Sequence, residues 1–161
     1  MIVMGINGLY VFFMVIDIYT DGSCDENGFE INTGGFGVVL VDKEKDEVIY
    51  EINQVCADTT NNRMELMAVV EALCEVLARN LSNVTIYSDS MYCVRGMNDW
   101  RCNWKEKNFN RKIKNQDLWL VASNLMDRLT GKVEVKWIKA HNGHKYNERA
   151  DELAGMRETL L

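Results

Sequence analysis

The sequence predicts an α/β domain built on a five-stranded mixed sheet flanked by helices. Two observations carry this reading. Three strand-like segments follow one another in the first third of the chain, and two later strand-like segments then alternate with stretches of helical period. The chain has 161 residues and no proline, and no low-complexity tract or long repeat divides it. One apolar core therefore suffices for this length.

The elements follow in order. Val15 to Thr20 is β-branched and aromatic, a strand expected to stop at the turn signal Asp21-Gly22-Ser23. Gly34 to Val41 and Glu47 to Val55 read as an antiparallel pair joined by the charged turn Asp42 to Asp46. Asn61 to Arg79 places Met64, Met67, Val70, Cys74 and Leu77 at helical spacing, with Thr59, Thr60 and Asn61 available as caps. Val84 to Ser88 is a strand ending in an aspartate. Asp117 to Leu129 repeats the helical period through Leu118, Val121, Leu125 and Leu129, and Val133 to Ile138 is the fifth strand. His141 to Tyr146 reads as a loop and Asn147 to Met156 as a short closing helix.

Composition narrows the function. The net charge of -6 argues against a generic nucleic-acid binder. Its sign is uneven, however: Arg95 to Lys114 holds seven basic residues (Arg95, Arg101, Lys105, Lys107, Arg111, Lys112 and Lys114) against Asp99 and Glu106. Exposed charges act over roughly 8 Å at physiological salt, so a local cationic surface on an acidic body implies an anionic partner docked at one place. The five cysteines form no close pair and read as reduced thiols of a cytoplasmic protein. Residues 1–13 are an uncharged apolar extension, expected to lie outside the fold, with residues 14–161 forming the domain and Met14 an alternative start. The extension is interrupted by Gly5, Asn7 and Gly8 and falls short of a membrane span.

The most informative local feature is a near-duplication. Ile-Tyr-Thr-Asp-Gly-Ser (18–23) and Ile-Tyr-Ser-Asp-Ser (86–90) each set an aspartate after a hydrophobic strand. If the intervening helix is a crossover, the two strands run parallel and Asp21 faces Asp89 beyond their carboxyl ends, where open α/β sheets bind ligands. Two adjacent anions repel unless a proton or a cation joins them, and Mg²⁺ is the hard, oxygen-seeking choice. Glu65 and Asp151, expected in the first turns of their helices, can reach the same place. A two-metal phosphoryl-transfer site needs several such carboxylates from separate elements. Singly, each acid reads first as an ordinary cap or turn residue, and only their combination points to a metal site.

His141 and His144 lie in the polar loop Lys-Ala-His-Asn-Gly-His. A titrating imidazole there suits proton transfer near neutral pH. A plain surface loop is the alternative, and zinc lacks its third and fourth soft ligands. Trp100, Trp104 and Phe109 interleave with the cations of the basic segment. They suit contacts with sugars or bases, or equally the anchoring of a helix-turn region to the core.

Taken together, Tyr19-Thr-Asp-Gly-Ser-Cys24, Thr59-Thr-Asn-Asn-Arg-Met-Glu-Leu-Met67, Tyr87-Ser-Asp-Ser90, Asn115-Gln-Asp-Leu-Trp119 and Trp137 through Ala154 resemble type 1 ribonuclease H of the compact bacterial form, in the family's order from about Met14 to Met156. The resemblance implies the ribonuclease H-like fold and hydrolysis of the RNA strand of RNA/DNA hybrids, leaving 5′-phosphate and 3′-hydroxyl ends. It implies that Asp21, Glu65, Asp89 and Asp151 bind two Mg²⁺ ions, with Mn²⁺ an alternative, and that His141 assists proton transfer or product release. It further implies that Asn27, Asn61 and Asn62 contact the hybrid in the minor groove, that Thr60 and Asn115 help hold a DNA phosphate, and that Trp100 and Trp104 belong to a basic protrusion gripping the DNA strand. The expected partner is the hybrid duplex, bound by a monomer without membrane or obligate protein partners.

Two positions depart from the family pattern. Met91 replaces a usual glutamine and Asp58 a frequent arginine, and both changes are expected to weaken hybrid affinity. The loop after Asp25 is slightly longer and the basic protrusion a few residues shorter. Related folds serve integrases, junction resolvases and exonucleases, so a different nucleic-acid substrate is one rival reading. A hybrid-binding module without turnover is another, and it would predict a damaged carboxylate set.

Overall fold

The computed structural model of the protein describes residues 2–3, 11–12, 14–25, 32–110 and 112–157. β1 (Ile2–Val3) and β2 (Val11–Phe12) pair antiparallel in a ladder of their own. The main sheet has five strands in the order β5-β4-β3-β6-β7. They are β3 (Ile16–Asp25), β4 (Thr33–Asp42), β5 (Glu47–Ala57), β6 (Asn83–Ser88) and β7 (Lys132–Trp137). β3, β4 and β5 form the antiparallel meander, while β3–β6 and β6–β7 are parallel. The expected mixed sheet of five strands is present.

β3 differs from expectation at its end. It does not turn at Asp21-Gly22-Ser23 but stays paired with β4 as far as Asp25 opposite Thr33. The Asp-Gly pair carries a turn signal when seen alone; here the glycine answers to a neighbour instead. A Cβ on Gly22 would lie 2.2 Å from the main-chain nitrogen of Glu65, so only glycine lets the strand pass beneath α1 (Asn61–Ala78).

Alternation along β3 sorts the two layers. Ile16 and Ile18 enter the larger core with Phe36, Val38, Leu40, Val84 and Ile86, covered by α1, against which α4 (Gln116–Arg128) packs in turn. Tyr19 faces the opposite side with Val39 and Val41, under α5 (Lys145–Gly155). α1 begins at Thr60, whose Oγ1 accepts a 3.3 Å bond from the Arg63 N–H. It ends at Asn80, which adopts a left-handed φ of 53° while the Leu81 N–H returns to the Val76 carbonyl.

The segment after β6 has more helix than its sequence suggested. α2 (Met91–Arg95) passes through a π-helical turn at Gly96–Trp100 into α3 (Arg101–Glu106). Trp119 of α4 is fully buried beneath this turn and donates its indole N–H to the Tyr92 hydroxyl at 2.8 Å. A Cβ on Gly96 would collide with the Trp119 ring at 1.9 Å. Among the described residues no helix is long and apolar enough to cross a membrane.

Candidate active site

The duplicated sequence pairs with itself. Ile18 lies opposite Ile86, Tyr19 opposite Tyr87 and Thr20 opposite Ser88 in the parallel ladder. Asp21 and Asp89 are the next residue on each strand. Thr20 tightens the junction by donating its hydroxyl to the Tyr87 carbonyl at 2.9 Å. Asp21 is only 6 % exposed, and its Oδ1 accepts the Gly22 N–H at 2.7 Å.

Glu65 arrives from the other layer, over the flat surface that Gly22 provides. It stands in the second turn of α1, because the helix starts at Asn61. Asp151 is likewise deeper in its helix than expected, since α5 starts at Lys145 rather than Asn147. The helix dipole therefore does less for both than a first-turn placement would; burial and neighbouring charges dominate. α5 can approach because Gly37, paired with Asp21, has no side chain, and a Cβ there would sit 2.3 Å from the Ala150 carbonyl oxygen. Two glycines, one on each face, thus let two helices deliver carboxylates to Asp21 within β3, beside the carboxyl end of β6.

Carboxylate oxygens of Asp21, Glu65 and Asp89 lie within 4.8 Å of one another. Asp151 stands just outside this trio. Burial, then the Asp89 charge, pushes the Asp21 carboxyl up to about 8, with Asp151 adding to the rise. Burial, followed by the charges of Asp21 and Asp89, takes Glu65 up to about 9. Asp89 is raised too, by burial and then by Asp151. Glu65 Oε2 is buried without a hydrogen-bond partner. A deprotonated set of this kind repels itself, and an unpartnered buried oxygen is costly. The residues therefore fit hard divalent cations, which supply the missing charge and ligand field.

His141 has a left-handed φ of 47° at the loop tip, and its Nδ1 lies 3.7 Å from Asp151 Oδ2. His144, the N-terminal residue of the same turn, packs elsewhere, with its ring 4.8 Å from that of Tyr19.

The residues expected to contact substrate lie at the starts of α1 and α4 and on the helical segment after β6. Thr60 caps α1, with Asn61 exposed and Asn62 half-buried in its first turn. Asn115 adopts a left-handed φ of 56° ahead of α4 and donates its side-chain amide to the Tyr92 hydroxyl at 3.2 Å. The two helix starts are joined by a bidentate ion pair from Arg63 to Asp117. Trp100 and Trp104 are half-buried, 5.7 Å apart, and Trp104 packs edge-on against Trp119. Trp104 is also packed against the larger core. Asn27 and Arg111 lie outside the described residues.

Sequence reasoning missed several residues that shape the site. Gly22 and Gly37 gave no distinct signal, since their role depends on helices that pack from elsewhere in the chain. Trp137 donates its indole N–H to the Asp89 carbonyl at 3.1 Å and so helps fix that aspartate's backbone. Glu148 accepts the Gly143 N–H at 3.0 Å across the histidine loop.

Comparison with known proteins agrees with this geometry. The RNase H family profile matches residues 14–158. A ribonuclease H of Mannheimia succiniciproducens is 43% identical over 143 residues, covering 86% of this chain and 84% of that protein. LC9-RNase H1, described as a type 1 RNase H with the type 2 active-site motif, superposes with a TM-score of 0.70 at 30% identity, covering 89% of this chain and 72% of that one. The foamy viral protease-reverse transcriptase in complex with RNA/DNA hybrid matches with a TM-score of 0.77 at 23% identity, covering 88% of this chain and 20% of that chain. With a fold, a carboxylate centre and a family profile that coincide over the same residues, the chain belongs to the RNase H family and is an RNase H enzyme.

Proposed function

We propose that the protein hydrolyses the RNA strand of RNA/DNA hybrids, with Asp21, Glu65, Asp89 and Asp151 holding two Mg²⁺ ions, Mn²⁺ being an alternative. The observation that carries the reading is the meeting of buried Asp21 and Glu65 with Asp89 at the carboxyl end of β6. When bound, the ions would activate the attacking water and neutralise charge on the scissile phosphate and the leaving 3′ oxygen. The chain's own residues hold and orient. Asp21 is held in β3 by its pairing with Gly37 and Asp89 by the Trp137 indole on its carbonyl, Glu65 closes the α1 side, and Asp151 stands between the carboxylate trio and the His141 imidazole. From the loop tip, His141 exchanges a proton near the leaving oxygen or speeds product release.

Substrate grip falls to Asn61 and Asn62 in the minor groove, Thr60 and Asn115 on a DNA phosphate, and the segment of Trp100 and Trp104 on the DNA strand. Asn27 would add a minor-groove contact. The 2′-hydroxyls, absent from DNA, would select the RNA strand. On this reading residues 14–161 are the catalytic domain, residues 1–13 are an extension, and the enzyme works as a cytoplasmic monomer. The test is a cleavage panel of RNA/DNA hybrid, double-stranded RNA and double-stranded DNA, each with and without Mg²⁺, run on wild type and Asp21→Asn. Only the hybrid should be cut, only with the ion, and the variant should lose at least about a hundredfold in kcat. Cleavage of all three duplexes, or an active Asp21→Asn, would sink the reading.

A further inference from the structure

The loop that carries His141 is tied down more firmly than its exposure suggests. On one side, the Ile138 N–H donates to the Ser88 carbonyl at 3.1 Å, extending the β7 pairing. On the other, the His144 ring lies over Tyr19, centroids 4.8 Å apart, and flanks Tyr146 at 6.4 Å. Tyr19 is itself buried and stacks on Tyr87 at 5.0 Å. Tyr146 donates its hydroxyl to the Asp46 carbonyl at 2.7 Å, fastening the start of α5 to the β4–β5 turn. Tyr19 and Tyr87 sit two residues before Asp21 and Asp89, and residues two apart on a strand share a face. The loop thus rests on the same strands that carry the aspartates, about 7 Å back along each.

We propose that His144, seated on Tyr19 and Tyr146, is a positioning residue that holds the His141 loop over Asp151. Only residues 139–143 are left between the two anchors, and Glu148 takes the Gly143 N–H within that stretch. Lys139 to Asn142 remain as the tip, with His141 in it. A short tip on fixed ends limits where the His141 imidazole can swing, and misplacement of a catalytic group by about 1 Å costs up to roughly a hundredfold in rate. Aromatic packing of the ring, rather than its protonation, does the holding; the pair Tyr19 Oη and His144 Nε2 is 3.5 Å apart, at the far limit of a hydrogen bond.

The inference rests on the reading of His141 as a catalytic residue, so the experiment separates the two. His144→Ala, His144→Phe, His141→Ala and the double alanine variant are compared by steady-state cleavage of a hybrid and by amide hydrogen exchange over residues 139–143. His144→Ala should lower kcat about tenfold at nearly unchanged KM and speed exchange in the loop. His144→Phe, which keeps the ring, should restore both. The double variant should be no slower than His141→Ala, because a misplaced loop cannot harm a histidine already removed. Additive losses in the double variant, or unchanged loop exchange in His144→Ala, would overturn the positioning role. A fully active His141→Ala with faster loop exchange in His144→Ala would instead overturn the catalytic reading of His141 and support the anchoring.

Discussion

At the scale of single residues, the acids of the centre keep their place against their own chemistry. Asp21 at about 8 and Glu65 at about 9 are both raised far above ordinary carboxyls by burial first and by neighbouring charge second. A folded-state rise in an acid means that the folded chain holds a proton the unfolded chain has released. Stability from this source is fully present below about pH 4 and is lost as pH climbs towards 8 or 9. The metal-free protein should therefore melt at progressively lower temperature between pH 5 and pH 8, on the order of a few kcal/mol in stability. Glu65→Gln should flatten that slope, raise metal-free stability at pH 8 and abolish most of the stabilisation by added Mg²⁺. Calorimetry at several pH values, with and without the ion, decides the matter; an unchanged slope in the variant would contradict the assignment. Asp21 was legible in the sequence, with Asp89, because each follows one of two near-identical strands, Ile18–Thr20 and Ile86–Ser88, that pair in register; Glu65 lies outside that repeat and was found through the helical segment that carries it. The protonation behaviour was not, because it depends on how deeply each carboxyl is buried.

At the scale of elements, the strand repeat and the helical periods identified what packs, while the depth at which each acid sits came from where helices start. α5 begins at Lys145 because the His144 backbone, extended at ψ 108°, opens the helix and its carbonyl accepts the Glu148 N–H. The sequence offered a loop there, since the polar run to Tyr146 lacks an apolar period. β3 overran its predicted end for a complementary reason: Asp-Gly-Ser is a local turn signal, and the helix that demands Gly22 is some forty residues away. The close approach of α5 to β4 at Gly37 yields a direct prediction. Gly37→Ala should push α5 outward and cost about 2 to 3 kcal/mol in urea denaturation. Because Ala150 adjoins Asp151, kcat should fall roughly tenfold with KM within about twofold. A variant that loses stability but keeps wild-type kcat would show that the placement of Asp151 does not depend on this contact.

At the scale of the whole molecule, charge is what remains to be reconciled with a polyanionic substrate. The sequence shows seven cations between Arg95 and Lys114 on a body that is otherwise acidic. Folding alters that count. Arg101 and Lys105 both pair with Asp127 of α4, and together they hold that carboxyl below its usual range. Among the described residues of this segment, Arg95, Lys107, Lys112 and Lys114 form no ion pair, so with Arg111, which lies outside the described residues, at most five of the seven cations are left to meet phosphates. Duplex binding loses about 0.9 power of salt for each phosphate neutralised, so hybrid affinity should fall with salt at a logarithmic slope of about -4, not the roughly -6 that all seven cations would give. Asp127→Asn releases Arg101 and Lys105 from their partner and should steepen the slope by up to about 2. It should leave the Mg²⁺-dependent cleavage step untouched at saturating hybrid, since Asp127 stands apart from the carboxylates. Binding titrations between 50 and 200 mM salt, an interval over which such slopes are resolved, measure both values. A wild-type slope near -6 would mean that the hybrid draws Arg101 and Lys105 away from Asp127, and that the acidic body does not ration the cations of its binding arm.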